Sequence, residues 1–352
     1  MKILELIPRL IRSGPVNIAR NIQINIPRDE AVIDIAVIKM NNSEELVQKT
    51  ENVLFLNYKK HCYFNWYLDH FNGTVTDRGY EIVHSHGLLS DYFCAKTKGV
   101  YKISTVHCNM FIDYPLQYGF VKGYLMAKAH AEILKSMDLV VACSETIRRD
   151  LERKGIRSIA VLNGIKPNTT GKENSNVGKK IFVTGNQFVK RKNIEVGIKG
   201  FLSSRASMDS EYWLFGDGPL LGEYRDKYRK VPNIVFHGHV SNFYDYLRQG
   251  NVYISASLYE GMPLAILEAM SMGLYVLASR IPSHEEIFEK KIEGELFNPY
   301  NEMDLAEKID RIDQVGSERN VEIYKKHFTA EGMASRYLEI YRQSAHPRED
   351  TR

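Results

Sequence analysis

Residues 251–279, NVYISASLYEGMPLAILEAMSMGLYVLAS, decide the fold of this chain. The apolar residues at 252–256 predict a strand. The strong helix formers at 264–272 predict a helix, which Pro263 begins because its fixed φ and missing N–H suit a first turn. The apolar run at 274–278 predicts a second strand that is buried on both faces. Strand, loop, helix and strand in this order are typical of a parallel α/β sheet.

Two glutamates mark this stretch, Glu260 in the loop and Glu268 in the second turn of the helix. The free N–H groups at a helix N-terminus favour anions, phosphate above all. Since a carboxylate does not bind phosphate, the two acids are expected to bind hydroxyl groups beside it. A nucleotide-sugar, with ribose, diphosphate and hexose in a row, fits this arrangement. Two glutamates eight residues apart also occur by chance, and only the surrounding unit favours the functional interpretation.

The spacing of Glu260 and Glu268 resembles the E-x7-E motif of the retaining glycosyltransferases of family four, which have the GT-B fold. The resemblance extends over nearly the whole chain. It implies an α/β protein with two Rossmann-like, doubly wound parallel-sheet domains that face a central cleft. It further implies that Glu260 hydrogen-bonds the hexose and Glu268 the ribose of the donor. The donor-binding segment between them comprises Gly261, Met262, Pro263 and Leu264.

Composition indicates a soluble globular protein. The chain has 352 residues, 44% of them hydrophobic and 26% charged, which suits two domains of ordinary size. The four cysteines show no metal-ligand spacing, and neither a signal peptide nor a membrane-spanning run is expected, so we expect a cytoplasmic protein. The net charge of +4 is too small to indicate nucleic-acid binding but is compatible with peripheral contact with an anionic membrane surface.

The domain organisation follows from two series of strands. We expect an N-terminal Rossmann-like domain at 1–165 on the acceptor side, and a C-terminal one at 179–329 on the donor side. The turn-rich, aperiodic segment at 166–178 is the expected linker. Residues 330–352 are expected to form a last helix, which the resemblance implies crosses back to the first domain, and a tail. Strands are predicted at 2–7, 31–39, 53–56, 81–86, 102–107, 138–144 and 158–162, and then at 180–184, 212–215, 233–237, 252–256, 274–278 and 294–297.

The first strand runs into Ser13-Gly14-Pro15 and a helix. In the resembled family a glycine pair here brings backbone N–H groups close to the donor diphosphate. Only Gly14 matches that pair, and Pro15 removes one donor. Gly14 is therefore assigned to donor binding, with a simple tight turn as the alternative.

Three histidines lie at or near the ends of predicted strands, where parallel sheets present functional groups. The resemblance implies that His107 reaches the donor sugar and supports the reaction centre. His86 is assigned to the acceptor side. His84 is interpreted as structural, since a lone histidine in a strand usually is.

A basic loop follows the first strand of the second domain, in VTGNQFVKRKN at 183–193. Lys192 matches the family lysine that holds the donor diphosphate. Gln187 stands where the family more often has arginine, and it brings no charge. Either Arg191 or Lys190 then supplies a second cation, or one cation is enough. The alternative is a solvated basic loop without function.

Three further features complete the expected second domain. Asn193 is predicted to cap a helix. The turn GDGP at 216–219 is interpreted as structural. The segment FHGHV at 236–240 matches one whose backbone contacts the nucleobase, which places Val240 in the donor site.

Two segments of the first domain are candidates for contact with a membrane. Residues 57–71 interleave aromatic and basic side chains, although packing of a helix into the core explains them at least as well. Residues 115–137 are predicted to form one long helix that carries Lys122, Lys128 and Lys135.

The sequence therefore predicts a retaining, metal-independent hexosyltransferase that needs no cofactor, with Glu260, His107 and Lys192 at the catalytic step. We expect a uridine diphosphate sugar as donor, with guanosine as the alternative base. The resemblance implies that the acceptor is a growing bacterial surface polysaccharide or a lipid-linked oligosaccharide. A nucleotide-sugar epimerase with the GT-B fold and a catalytically silent nucleotide-sugar-binding protein remain the alternatives.

Overall fold

The structure, a computed structural model, describes residues 1–10, 13–39, 53–56, 64–167, 179–313 and 316–345. The chain divides into two compact units. Unit 1 comprises Met1–Gly164 and Ala330–Arg352, and unit 2 comprises Ile165–Thr329. Most of the expected linker, from residue 168 onward, lies outside the described residues, as does the tail from residue 346.

Unit 1 is built on a parallel sheet of seven strands in the order β3-β2-β1-β4-β5-β6-β7. The strand order reverses at β1, as in a doubly wound sheet, so the carboxyl ends of β1 and β4 form the switch point of this unit. Its elements are β1 Lys2–Arg9, α1 Gly14–Asn25, β2 Val32–Lys39, β3 Val53–Phe55, α2 Phe64–Asp77, β4 Ile82–Ser85, α3 Leu88–Ala95, β5 Tyr101–Val106, α4 Met110–Tyr118, α5 Phe120–Lys135, β6 Leu139–Ala142, α6 Glu145–Glu152 and β7 Ile159–Ala160.

The prediction of one long helix at 115–137 is wrong, because the chain turns at Gly119. Gly119 has φ 85°, a left-handed conformation that L side chains rarely adopt, and it separates α4 from α5. The two helices pack closely at Gly123, where an added Cβ would lie 2.3 Å from backbone atoms of Tyr114 and Pro115. The pair is called the α4–α5 hairpin below.

Unit 2 repeats the architecture with six parallel strands in the order β10-β9-β8-β11-β12-β13. The order reverses at β8, so its switch point lies between the carboxyl ends of β8 and β11. The elements are β8 Lys180–Gly185, α7 Ile194–Ser203, β9 Ser210–Phe215, α8 Leu221–Tyr228, β10 Ile234–Gly238, α9 Phe243–Leu247, β11 Val252–Ser255, α10 Leu264–Ser271, β12 Tyr275–Ser279, α11 Pro282–Phe288, β13 Gly294–Phe297, α12 Glu302–Asp310 and α13 Glu318–His327. The prediction of two doubly wound parallel sheets is confirmed.

Burial explains why the central strands of unit 2 are continuous apolar runs. Val252, Tyr253 and Ile254 of β11 have no exposed surface, and neither has Phe182 of β8. The Tyr253 hydroxyl donates to the Gly185 carbonyl at 3.1 Å, which satisfies the one polar group buried among them. The rigid sheet thereby fixes where its carboxyl-end loops begin.

The last helix, α14 Ala330–Ala345, belongs to unit 1 and packs against α1. Met333, Tyr337 and Tyr341 form its buried face, as the helical spacing predicts. In the described part of the chain, no helix is both long and apolar enough to cross a membrane.

Candidate active site

Two loops of unit 2 meet at the switch point of its sheet. One follows β8 and ends in a short 3-10 turn at Lys190–Lys192, and the other follows β11 and contains Glu260. β8 and β11 are hydrogen-bonded neighbours, so their carboxyl ends open at the same place. The Leu258 N–H donates to the Arg191 carbonyl at 2.8 Å and joins the two loops directly.

Glu260 is the centre of this cluster and is 7% exposed. Its Oε1 accepts hydrogen bonds from Lys192 Nζ and, at 2.7 Å, from Ser257 Oγ. Its Oε2 accepts from Arg191 Nη1 at 3.1 Å. Burial by itself would raise the pKa of Glu260, but the charges of Lys192 and Arg191 outweigh it and lower the pKa to about 2. The carboxylate is therefore ionised and holds two cations in fixed positions.

The two candidates for a second cation, Arg191 and Lys190, differ in their surroundings, and the contact of either with the donor stays a prediction. Arg191 reaches Glu260, whereas Lys190 and Gln187 are exposed and have no hydrogen bond to it. Asn193 has φ 50° and no side-chain capping bond, so its predicted capping role is wrong. Its amide instead donates to the Pro299 carbonyl at 2.8 Å, a contact 106 residues away that ties the loop to the segment after β13.

Glu268 lies on α10 and is partly buried. Tyr244 of α9 donates a hydrogen bond to its Oε1 at 3.3 Å. Burial raises the pKa of Glu268 to about 7, because a single long hydrogen bond compensates little of the lost hydration. Within one motif, the two glutamates thus have opposite electrostatic environments.

The segment between the glutamates leads into the N-terminus of α10. Pro263 is the residue immediately before the helix, and Leu264 is the first helical residue. No side chain caps this helix end, and its first turn contains no acidic residue. Gly261, Met262 and Leu264 therefore present backbone N–H groups at the positive end of a helix dipole, next to Glu260.

Three polar residues that the sequence analysis did not select support this loop. Ser257 bonds Glu260 directly, and the hydroxyl of Ser279 donates to the Ser257 carbonyl. His284 of α11 is fully buried, with Nδ1 2.8 Å from the Ser279 carbonyl, and burial lowers its pKa to about 4. The signal in the sequence was their position after β11 and β12, at the same sheet edge as Glu260.

The segment assigned to the nucleobase, 236–240, begins within β10, the edge strand of this sheet, and Val240 lies in the loop after the strand. Nearby, the His237 ring stacks on Phe215, with ring centroids 4.5 Å apart. The structure does not bring Val240 into the hydrogen-bonded cluster around Glu260. Its contact with a base stays a prediction.

In unit 1, the predicted histidines converge at the switch point between β1 and β4. His107 Nε2 lies 2.9 Å from His86 Nδ1, and His86 Nε2 lies 2.5 Å from Glu5 Oε2. His84 is fully buried within hydrogen-bonding distance of Glu5, which agrees with its structural interpretation. Sequence reasoning missed Glu5, although a glutamate inside the apolar strand KILELIPR was a visible signal.

Gly14 is the first residue of α1, at the carboxyl-end side of β1. Ser13 precedes the helix without a side-chain capping bond, and Pro15 occupies the first turn. The contact of Gly14 with a diphosphate stays a prediction.

Comparison with known proteins places both units in the same family. Residues 28–168 match the family described as glycosyltransferase family 4, and residues 178–314 match the glycosyl transferases group 1. An O-antigen biosynthesis glycosyltransferase of Escherichia coli, WclY, is 23% identical over 286 residues, which cover 74% of this chain and 79% of the relative.

Two further similarities are a shorter match in sequence and a match to a solved structure. A UDP-Gal:alpha-D-GlcNAc-diphosphoundecaprenol alpha-1,3-galactosyltransferase of Escherichia coli is 32% identical over 90 residues, 24% of this chain and 23% of that protein. The structure of Anabaena HepE in complex with UDP and glucose is similar with a TM-score of 0.81 and 15% identity, over 97% of this chain and 100% of the other. The GT-B fold is thereby confirmed.

Proposed function

Since the chain belongs to glycosyltransferase family four, the group 1 glycosyltransferases, we propose that it transfers a hexose from a uridine diphosphate sugar with retention of configuration. In this proposal the acceptor is a hydroxyl of a growing bacterial surface polysaccharide or lipid-linked oligosaccharide. The observation that carries the proposal is the cluster of Lys192 and Arg191 on Glu260, beside the uncapped N-terminus of α10.

This cluster suits a departing nucleoside diphosphate. When the bond from sugar to phosphate breaks, negative charge grows on the leaving oxygen, and fixed cations and N–H groups stabilise it without reorganisation. Lys192 and Arg191 are both immobilised by Glu260, so they are positioned before the donor binds. In this mechanism Glu260 also accepts hydrogen bonds from the hexose, and the leaving phosphate oxygen takes the proton of the acceptor hydroxyl on the same face.

Glu268 is assigned to the ribose. Its raised pKa, near 7, means that it stays largely protonated in the free protein below that pH. Two ribose hydroxyls that donate to it would favour the carboxylate, since hydrogen bonds to a charged form lower its pKa. Donor binding and release of the Glu268 proton are therefore coupled, and the donor KM should fall as pH rises through about 7.

A uridine donor is supported by two relatives, since HepE was crystallised with UDP and glucose and the galactosyltransferase named above uses UDP-Gal. Thermal unfolding in the presence of UDP, GDP, ADP and UMP tests this choice. A nucleotide at 100 times its Kd stabilises the folded protein by about 2.7 kcal/mol. UDP should give the largest increase in Tm, and UMP a much smaller one because it lacks the second phosphate. Equal increases with UDP and UMP would contradict the assigned role of Lys192 and Arg191.

No divalent cation has an assigned role in this proposal, because two protein cations and a helix N-terminus already face the proposed diphosphate position. His107 is the group of unit 1 that we assign to the reaction, and it lies directly after β5. His86, which contacts it, keeps its assignment to the acceptor side.

A lipid-linked acceptor requires docking at a membrane, and the α4–α5 hairpin has the surface for it. Large apolar side chains stand exposed along it, with Phe120 78%, Val121 71% and Leu125 61% exposed. Further exposed residues of the hairpin are Ile112, Leu116, Tyr118 and Tyr124. Such a contiguous patch marks an interaction site rather than an ordinary surface.

Basic residues flank this patch. The ammonium groups of Lys122 and Lys128 lie over the rings of Tyr118 and Tyr124, 5.8 and 5.1 Å from the ring centroids. Lys135 is less available, because it pairs with Glu132 at 2.8 Å. Beside the patch, a cavity of about 430 Å³ is lined by aromatic and basic side chains, including Phe111, Tyr124, Lys128, Lys135 and Lys154. Apolar and aromatic side chains next to lysines fit the surface of an anionic bilayer.

Hydrogen bonds fix the α4–α5 hairpin to the core of unit 1, so its apolar face stays exposed. Tyr114 of α4 lies 2.8 Å from His130 Nδ1, and His130 Nε2 lies 2.6 Å from Asp91. Asp91 in turn accepts from Ser85 and Ser104 of the central sheet at 2.6 and 2.7 Å. In the other candidate segment, residues 57–63 lie outside the described residues, whereas residues 64–71 belong to α2, where Phe71 is buried in the core as the alternative interpretation expects.

Liposome co-sedimentation tests the docking surface. Binding to anionic vesicles and not to neutral ones is expected at low salt, with each basic residue contributing roughly 1 kcal/mol. Replacing Phe120, Val121 and Leu125 by serine should abolish binding, whereas replacing Met208, which is 84% exposed on unit 2, should not. Replacing Lys122 and Lys128 by glutamine should weaken binding and remove its salt dependence. Equal binding to both vesicle types, or normal binding of the serine variant, would contradict docking through this hairpin.

A further inference from the structure

A buried carboxylate of unit 1 contacts three polar side chains that come from different parts of the chain. Glu5 of β1 has no exposed surface. Its Oε1 accepts from the Tyr341 hydroxyl at 2.7 Å and lies 3.0 Å from His84 Nδ1. Its Oε2 lies 2.5 Å from His86 Nε2. Register explains the placement, since Glu5 and His84 are paired positions on neighbouring strands.

The charge of Glu5 decides where the protons of this network lie. Burial alone would raise the pKa of Glu5, but the facing imidazoles of His84 and His86 hold it well below its usual range. An ionised carboxylate only accepts hydrogen bonds, so His86 carries a proton on Nε2, and neutral His86 then presents a lone pair on Nδ1. His107 Nε2, 2.9 Å from that lone pair, must then be the donor. The proton of His107 is thereby placed on Nε2, and its Nδ1 is left with a lone pair.

The hydrogen bonds that run from Glu5 through His84 form a second branch of the network, and they agree with an ionised Glu5. His84 donates from Nδ1 towards Glu5 and Tyr341, so its Nε2 accepts from the Thr105 hydroxyl at 2.7 Å. The Tyr337 hydroxyl, 2.9 Å from Thr105 Oγ1, then donates to it. Every hydroxyl and ring nitrogen in this branch thus has a consistent set of partners, and two of the residues, Tyr337 and Tyr341, come from the last helix, α14.

The same atoms could be considered as ligands of a metal ion, because single donor atoms of Glu5, His84 and His86 lie within 4.8 Å of one another. Their separations favour protons instead. Ligand atoms around a tetrahedral zinc ion are about 3.3 Å apart, given bonds of about 2.0–2.1 Å. Glu5 lies 2.5 and 3.0 Å from the two imidazoles, which are hydrogen-bond distances.

We propose that Glu5 and His86 are positioning residues that hold His107 neutral, with its proton on Nε2 and a hydrogen-bond-accepting lone pair on Nδ1. This inference rests on the proposed function, in which His107 takes part in the transfer. A neutral imidazole with a fixed acceptor nitrogen can accept a hydrogen bond from a hydroxyl of the sugar or the acceptor, whereas the opposite tautomer presents an N–H donor at that position.

The environment of His107 also favours the neutral form. Burial lowers its pKa well below the usual value, and the neighbouring His86 and His84 lower it further, while the more distant Glu5 acts in the opposite direction. The ring stacks on that of His86, with the two centroids 5.2 Å apart, so it cannot turn freely. The acceptor nitrogen is therefore available across the neutral pH range.

Nitrogen-15 NMR of the histidine side chains in the full chain tests the proton assignment, since protonated and unprotonated ring nitrogens resonate far apart. In the wild-type protein, His107 and His86 should both carry the proton on Nε2. A proton on Nδ1 of His107, or on both of its nitrogens at neutral pH, would overturn the proposal. This measurement needs no variant, so it decides the position of the His107 proton even if the variants below do not fold.

The variant Glu5→Gln tests the cause. A glutamine amide accepts on one side only and donates on the other, so one branch must reverse its protons. Either His86 and His107 or His84 should change tautomer in the spectrum. Unchanged tautomers of all three histidines would overturn the proposal. Asp91→Asn is the matched control, because Asp91 is another buried carboxylate of unit 1 that pairs with a histidine, His130. This variant should leave the tautomer of His107 unchanged.

Transfer kinetics of the same variant connect the tautomer to the reaction. If His107 has changed tautomer, kcat should fall at least about 10-fold with donor KM and Tm nearly unchanged, since a wrong tautomer removes the acceptor without removing the side chain. If only His84 has changed, kcat should stay within about twofold of wild type. A fall in kcat with unchanged tautomers would show a merely structural role for Glu5. Failure of the wild-type protein to transfer any sugar would refute the proposed function and leave the NMR result on Glu5 standing.

Discussion

Replacement of Glu268 by glutamine should stabilise the protein at high pH and leave its stability almost unchanged at low pH. Burial raises the pKa of Glu268 to about 7, from an ordinary value of 4.5. A raised pKa in the folded state means that the folded protein binds a proton more tightly than the unfolded chain, so stability falls as pH rises. The penalty is absent below about pH 4.5, where both states are protonated, and is complete above pH 7.

The size of the effect follows from the shift. Each pKa unit corresponds to about 1.4 kcal/mol, so full burial would give about 3 kcal/mol. Because Glu268 is only partly buried, solvent screening reduces this, and we expect about 1–3 kcal/mol at pH 8. Urea denaturation of wild type and Glu268→Gln at about pH 4.5 and pH 8 measures the difference directly.

Two variants sharpen this experiment. Glu223→Gln changes an exposed glutamate of unit 2 and should alter stability by less than about 0.5 kcal/mol at either pH. Tyr244→Phe removes the hydrogen bond that favours the Glu268 carboxylate, so the pKa of Glu268 in the folded state should rise. The penalty should then be larger and should be complete only at a higher pH, while it still begins near pH 4.5. If Glu268→Gln changed the free energy of unfolding by the same amount at both pH values, the raised pKa assigned to Glu268 would be refuted.

Three further outcomes are expected. Glu260→Ala should lower kcat by about 100-fold or more because its bonds are to the reacting sugar, whereas Glu268→Ala should mainly raise donor KM; near-normal kinetics in both would contradict the motif assignment. Transfer activity should persist in excess EDTA, and complete loss that Mg²⁺ or Mn²⁺ restores would contradict the cation and helix account. Gly123→Ala should destabilise the protein by about 1–3 kcal/mol, since its Cβ would lie 2.3 Å from backbone atoms of Tyr114, whereas Gly222→Ala, with nothing within 4 Å, should be neutral or slightly stabilising in urea denaturation.

The sequence alone predicts the central unit of this fold well. The strand expected at 252–256 is observed as Val252–Ser255, and the next, expected at 274–278, as Tyr275–Ser279. Both are buried on two faces, so apolar character and secondary structure coincide there. The prediction of one helix at 115–137 fails because the chain turns at Gly119, which adopts a positive φ between α4 and α5, and the pattern of apolar residues does not reveal this turn.

The site is less predictable because its contacts depend on strand order. Lys192 and Glu260 meet only because β8 and β11 are neighbours, which cannot be read from the residues between them. The sequence resemblance assigned both residues to the donor site, and the structure shows that they form an ion pair and that Arg191 joins it. Glu5 was missed for the same reason, since its contacts at His84, His86 and Tyr341 are up to 336 residues away.

Transfer of labelled hexose from a uridine diphosphate sugar to lipid-linked saccharides tests the central claim most directly. The purified protein is incubated with bacterial membrane lipids and a panel of labelled donors, and the label in the extracted lipid fraction is counted. The account predicts incorporation from at least one uridine donor, with the anomeric configuration of the donor kept in the product, and none with Glu260→Gln. Inversion of that configuration, or equal incorporation by Glu260→Gln, would contradict it.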